Sequence, residues 1–152
     1  MSEDRKLQVL VIDDEESVRE IISDFFLKND YKVITAENGR VAITQFEKHN
    51  PDFLFVDLKM PEVDGLQVID YVHKKSPETP TIVVSGASDI SEAIKAVRMG
   101  AWDYILKPVM EFSVLSHAID RAMERVNLIK QKDEYQKKLE EEKKSIEKNI
   151  EF

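Results

Sequence analysis

The 152-residue sequence has no cysteine, which rules out a disulfide framework and thiolate chemistry. No apolar run approaches the roughly 18 residues of a membrane span. Residues 1–6, Met-Ser-Glu-Asp-Arg-Lys, are polar and mixed in charge where a secretory leader needs an apolar core. A soluble cytoplasmic chain is therefore expected, with no membrane partner. Excess positive charge is missing too. Residues 130–152 carry seven Lys and seven Asp/Glu, which leaves 15 basic and 23 acidic residues before them, a net −8. So acidic a body is a poor nonspecific partner for nucleic acid. No helix-turn-helix pattern is left over once the elements below are assigned, so no direct nucleic-acid contact is expected.

What is present is an alternation. Leu7–Ile12 is β-rich and almost wholly apolar, and reads as a strand buried on both faces. Four acids, Asp13 to Glu16, follow it. Val18, Ile21, Ile22, Phe25 and Phe26 then recur at helical spacing until Asn29-Asp30. Lys32–Ala36 is a second strand. Asn38-Gly39 leads into a helix with Val41, Ala42 and Phe46 on one side, and Asn50-Pro51 stops it. Phe53–Val56 is a third strand, again apolar throughout. Met60-Pro61 blocks a helix, Asp64-Gly65 turns the chain, and Leu66, Val68, Ile69 and Val72 mark a third helix. Thr81–Val84, ended by Ser85-Gly86, is a fourth strand. Asp89 and Glu92 have capping-box spacing for a helix carrying Ile94, Ala96, Val97 and Met99, which Gly100 can close. Tyr104–Leu106 is a fifth strand, ended by Lys107-Pro108, and a last helix starts near Glu111.

Five strand–helix alternations with short connections and right-handed crossovers predict a parallel sheet with helices on both faces. The order 2-1-3-4-5 of flavodoxin-like α/β sandwiches fits, and ligands there sit at the carboxyl ends of the strands. Strands one and three then bring Asp13, Asp14 and Asp57 together, strand four adds Ser85, and strand five adds Lys107. Each residue by itself suits a helix cap, a turn or a solvated loop. Five of them at the ends of four strands form a site. Crowded carboxylates repel unless a cation intervenes, and Mg²⁺ favours oxygen ligands. Asp14 and Asp57 are the expected direct ligands, Asp13 binds directly or through water, and the Lys59 backbone carbonyl is a further candidate. Lys107 is a mobile point charge for an anionic oxygen. Ser85 offers a hydroxyl, and the Gly86 and Ala87 backbone can approach an anion closely. No histidine stands at a strand end to activate a serine. A carboxylate nucleophile, a metal and two oxygen partners suit phosphoryl transfer to Asp57.

The motifs Val11-Ile-Asp13-Asp14-Glu15, Asp57-Leu-Lys-Met60-Pro61-Glu-Val-Asp64-Gly65, Ser85-Gly86-Ala87, Gly100-Ala101-Trp-Asp-Tyr104 and Leu106-Lys107-Pro108-Val109 come in one order across residues 7–125. In this the chain resembles the receiver (CheY-like) domain of two-component response regulators. The resemblance implies that Asp57 takes a phosphoryl group from phosphohistidine on a sensor kinase or phosphotransfer protein, with Mg²⁺ required. It implies that Lys107 and Ser85 hold the phosphoryl oxygens and that Lys107-Pro108 is cis. Tyr104 matches the switch aromatic, which turns inward as Ser85 moves toward the phosphate and so remodels the face of helix 4, strand 5 and helix 5. Only self-catalysed transfer and autodephosphorylation are expected, not turnover as an enzyme. Lys59 and Ala87 stand where the family tunes phosphoryl loss, and a moderately long-lived phosphoform is expected. A flavin binder of the same fold would need amides and hydroxyls where Asp13–Glu16 stand. An Asp-nucleophile phosphohydrolase would want an acid at position 59.

Residues 7–126 therefore read as the receiver, after a polar tail at 1–6. The helical signal of Leu115, Ala118, Ile119, Ala122 and Val126 continues into residues 127–152, where neither Gly nor Pro occurs. Favourable pairs such as Asp133→Lys137 and Glu140→Lys144 support that helix. Tyr135, Leu139, Ile146 and Ile150 are few, and Glu142 interrupts their stripe. A short parallel coiled coil making a homodimer, or a spacer rod, is expected, handing the receiver's state to an output domain in cis beyond the chain; the alternative is a stand-alone receiver that acts by docking, with the tail as a dimerisation arm.

Overall fold

The computed structural model describes residues 5–86 and 90–150. Five strands alternate with five helices: β1 (Gln8–Ile12), α1 (Glu16–Leu27), β2 (Lys32–Ala36), α2 (Gly39–His49), β3 (Phe53–Val56), α3 (Gly65–Lys75), β4 (Thr81–Ser85), α4 (Ile90–Met99), β5 (Asp103–Leu106) and α5 (Phe112–Ile150). All strand pairs are parallel, in the order β2-β1-β3-β4-β5. The expected doubly wound sheet is therefore the observed one.

Local chemistry sets the boundaries. Asn38 caps α2 by accepting from the Val41 amide, and Asn50 ends it in the left-handed region, φ 46°. Asp64 and Gln67 form a reciprocal capping box at the start of α3. Gly100 follows α4 at φ +125°, a conformation open to glycine. The proposed Asp89 cap lies outside the described residues.

The sheet separates two apolar layers. On one side Val9, Val11, Phe53, Phe55, Ile82 and Val84 pack against Ile22 and Phe26 of α1 and Leu115, Ala118, Ile119 and Ala122 of α5. Phe26 sits centrally there, with ring centroids 5.1 Å from Phe55, 5.2 Å from Tyr31 and 5.9 Å from Phe112. On the other side Leu10, Ile12, Leu54 and Val56 meet α2 and α3, and Leu58, Ile69 and Val83 meet Ala93 and Ala96 of α4. All four β3 residues are buried, as its unbroken apolar run requires.

Three of the apolar residues that mark the helical periods lie outside the core. Ile21 is 51% exposed, Ile94 52% and Val97 49%. In α4 the small residues Ala93 and Ala96 face the sheet instead, so the bulky side chains occupy a second, outward apolar face. Helix α5 has buried side chains only up to Ala122; Val126 and Ile129 are half-buried, and every residue from 130 to 150 is exposed.

Candidate functional site

The register explains how one site forms from distant residues. Ile12 pairs with Val56, so Asp13 and Asp57 leave the sheet side by side. Their amides donate to the Ala36 and Ile12 carbonyls, which carries the sheet one residue past each strand. Ser85 pairs with Leu106, and the Lys107 amide donates to the Ser85 carbonyl at 2.8 Å. Lys107 is thereby delivered beside the acids, and its bond to Pro108 is cis.

Asp13, Asp14 and Asp57 each offer a carboxylate oxygen, and these lie within 4.8 Å of one another. Asp13 and Asp57 are buried while Asp14 is exposed. None is spent as a helix cap: Glu15 is the N-cap of α1, and Asp13 Oδ1 accepts from the Glu15 amide at 3.0 Å. The Lys107 Nζ lies 3.0 Å from Asp13 Oδ2 and 3.6 Å from Asp57 Oδ1. One ammonium thus touches two of the three clustered carboxylates.

The electrostatics follow from that imbalance. Asp57 is pushed up to about 7, first by burial and then by Asp13. Lys107 opposes the shift, Asp14 adds to it, and the Lys59 backbone partly offsets it. Burial would lower the Lys107 ammonium, but its hydrogen bond to Asp13 and the charges of Asp57, Asp13 and Glu15 outweigh that and raise it. Asp57 is therefore poised between charged and neutral near physiological pH, where a cation would decide the matter. The arrangement fits a small hard cation: oxygen donors only, three converging carboxylates, and one exposed side.

Ser85 stands next to this cluster, 1% exposed, and its Oγ has no hydrogen-bond partner among the described residues. A buried hydroxyl without a partner is costly, and it marks a place where a ligand oxygen would be welcome. Gly86 is half-buried after β4; Ala87 lies outside the described residues. Tyr104, 43% exposed, points away from the core, and its amide donates to Asp103 Oδ1.

Two features escaped the sequence reading. A Cβ on Gly65 would lie 2.3 Å from the Asp57 carbonyl oxygen and 2.6 Å from Leu58 Cα. The turn glycine is thus also the residue that lets α3 press on the backbone holding Asp57. Arg19 is the second, donating to the Asp13 carbonyl at 2.9 Å. The Asp-Gly pair signalled the turn, but nothing in it signalled the close approach. Around the acids open a cleft of about 570 Å³, lined by Asp14, Lys59, Met60, Asp64, Ser91 and Glu92 among others, and an apolar crease. The crease runs from Val18, Ile21 and Ile22 to Lys107, Pro108 and Met110.

A five-stranded flavodoxin-like sandwich with an acid cluster and a lysine at its switch point defines the receiver class. The chain belongs to the response regulator receiver domain family, whose profile matches residues 9–120. It is 31% identical to the Escherichia coli K12 regulatory protein AtoC over 82% of this chain and 27% of AtoC. It is 31% identical to the Bacillus subtilis chemotaxis protein CheY over 79% of this chain and 94% of CheY. Among solved structures, a receiver domain protein from Clostridium thermocellum superposes with TM-score 0.76 at 30% identity, covering 81% of this chain and 98% of that one. NtrX from Brucella abortus gives TM-score 0.79 at 28% identity, covering 86% of this chain and 30% of NtrX. The chain thus spans about a quarter of AtoC and under half of the ycf27 regulator of Porphyridium aerugineum. No helix among the described residues is long and apolar enough to cross a membrane.

Proposed function

We propose that Asp57 is a phosphoacceptor that takes its phosphoryl group from phosphohistidine on a sensor kinase or phosphotransfer protein. The observation that carries this reading is the buried Asp57 carboxylate, held within 4.8 Å of Asp13 and Asp14 oxygens and 3.6 Å from the Lys107 ammonium. An Asp57 oxygen forms the new O–P bond as the donor's N–P bond breaks. The imidazole departs with that electron pair and takes a proton from solvent. Asp13, Asp14, Asp57 and the Lys59 carbonyl would hold Mg²⁺, which supplies charge neutralisation for the acids and the transferring oxygens. Lys107 and the Ser85 hydroxyl bind phosphoryl oxygens, with the Gly86 amide beside them. Ser85 then has the partner its Oγ lacks among the described residues.

The new dianion biases a two-state element. Ser85 moves toward the phosphate, Tyr104 turns inward, and the α4–β5–α5 face changes. The protein acts in the cytoplasm as a switch without multiple turnover, and α5 serves as a dimerisation arm and connector toward an output module. The apolar crease beside Lys107 offers the phosphodonor a resting surface. Incubation with acetyl phosphate and Mg²⁺ tests the core of this reading. The mass of the wild type should rise by one phosphoryl group, and that of Asp57→Asn should not change. A folded wild type that stays unmodified, or a variant labelled equally, would overturn it. An alanine at position 87 has no group to hydrogen-bond an attacking water, so the phosphoform should outlast the first minute in Mg²⁺ buffer; loss within seconds would contradict that.

A further inference from the structure

Helix α5 runs on for about six turns after its last half-buried residue, Ile129, and every side chain from 130 to 150 is exposed. An isolated helix of that length is marginal in water, so it gains from a partner. Leu128, Tyr135, Leu139 and Ile146 are large, apolar and exposed. Their spacing of seven, four and seven is a heptad seam, with Leu128 and Tyr135 at d and Leu139 and Ile146 at a. The seam has two charged gaps: Lys132 at a and Glu142 at d.

The orientation of a second copy decides how these gaps are met. In a parallel pair, a faces a and d faces d, so Lys132 meets Lys132 and Glu142 meets Glu142. Lys138 at g also faces Lys143 at e, twice. In an antiparallel pair, a faces d. Setting Leu128 against Ile146 then places Tyr135 against Leu139 and Lys132 against Glu142, each twice by symmetry. Every apolar seam residue meets an apolar one and both charged gaps become opposite-charge pairs. One like-charge contact remains, Lys138 against its copy near the dyad. Sliding by one heptad spoils the match, since it sets Glu142 against Leu139 or Lys132 against Tyr135. The segment's balance of seven Lys and seven Asp/Glu suits such self-pairing.

We propose that two copies of this chain associate through an antiparallel coiled coil spanning Leu128 to Ile146, with Lys132 of each chain paired to Glu142 of the other. This rests on the reading of α5 as a dimerisation arm and replaces the parallel arrangement with one that the charges select. The seam is about 27 Å long, so the dimer is concentration-dependent, and the two receivers stand at opposite ends of the rod.

Charge reversal in the full chain tests it, read by sedimentation over a concentration series. Lys132→Glu and Glu142→Lys singly should each weaken the dimer about tenfold or more, because each turns two attractive pairs repulsive. The double reversal should restore it. The cysteine-free sequence allows a second readout. Leu128→Cys and Ile146→Cys chains should cross-link when mixed and oxidised, and not when oxidised separately. A wild type that stays monomeric at every concentration would remove the dimerisation reading and this inference with it. A dimer indifferent to single reversals, with disulfides in the separate Leu128→Cys and Ile146→Cys samples, would leave the dimerisation arm standing and overturn the antiparallel register.

Discussion

Asp57 carries its proton to about pH 7 in the metal-free fold, against an ordinary value of 3.8. Between those values the folded chain keeps a proton that the unfolded chain has released. The stability this protonation contributes is fully present below about pH 4 and is lost as pH rises through about 7. Asp57→Asn has no such proton to lose. In chelator, the variant should therefore gain on the wild type as pH rises from 5 to 8, by about 3–8 °C in Tm. Mg²⁺ should then raise the wild-type Tm and close the gap. A Tm difference that is flat with pH and unmoved by Mg²⁺ would show that the three acids do not share charge as their 4.8 Å spacing requires. Gly65 belongs to the same scale. Its hypothetical Cβ meets backbone, not a flexible side chain, so Gly65→Ala must move the Asp57 loop. Expected are a loss of about 1–3 kcal/mol in denaturant stability and weaker Mg²⁺ binding by calorimetry.

At the scale of elements, strand order and strand ends were readable in the sequence. Parallel strands buried on both faces must be apolar throughout, and their polar terminators stand where the chain meets solvent. Asp13, Asp57, Ser85 and Lys107 were legible for that reason. Helix faces were less so. Ile21 and Ile22 both fit the α1 period, yet Ile22 is 2% exposed and Ile21 51%. Periodicity registers an apolar side chain and cannot tell a core from an outward surface. In α4 the core side is made of Ala93 and Ala96, and Ile94 and Val97 follow the same period on the outside. Adjacent residues should consequently respond differently. Ile22→Ala is expected to cost about 2–5 kcal/mol, while Ile21→Ser and Ile94→Ser stay within about 0.5 kcal/mol of wild type by urea denaturation. A large loss at Ile21 or Ile94 would place those side chains in a core.

For the whole molecule, charge and packing divide the chain at the same place. The net −8 lies entirely before residue 130, while the neutral segment after it is exposed along its described length. The root of α5 is fastened to β5: Arg121 makes a two-nitrogen contact to Asp103 Oδ2, and the Arg125 guanidinium lies 4.3 Å from the centre of the Trp102 ring. The receiver thus buries the helix only as far as Ala122, and residues 130–150, all exposed, add little to that core. Deleting residues 131–152 should leave the unfolding free energy at low protein concentration within about 0.5 kcal/mol of the full chain, with Mg²⁺ affinity unchanged. The helical circular-dichroism signal should fall by the share that residues 131–150 contribute, while the receiver's own helices keep theirs. At high concentration only the full chain should gain stability, because association stabilises by mass action. A loss of several degrees in dilute solution would mean that the tail folds back on the receiver, against the exposure of every residue from 130 to 150.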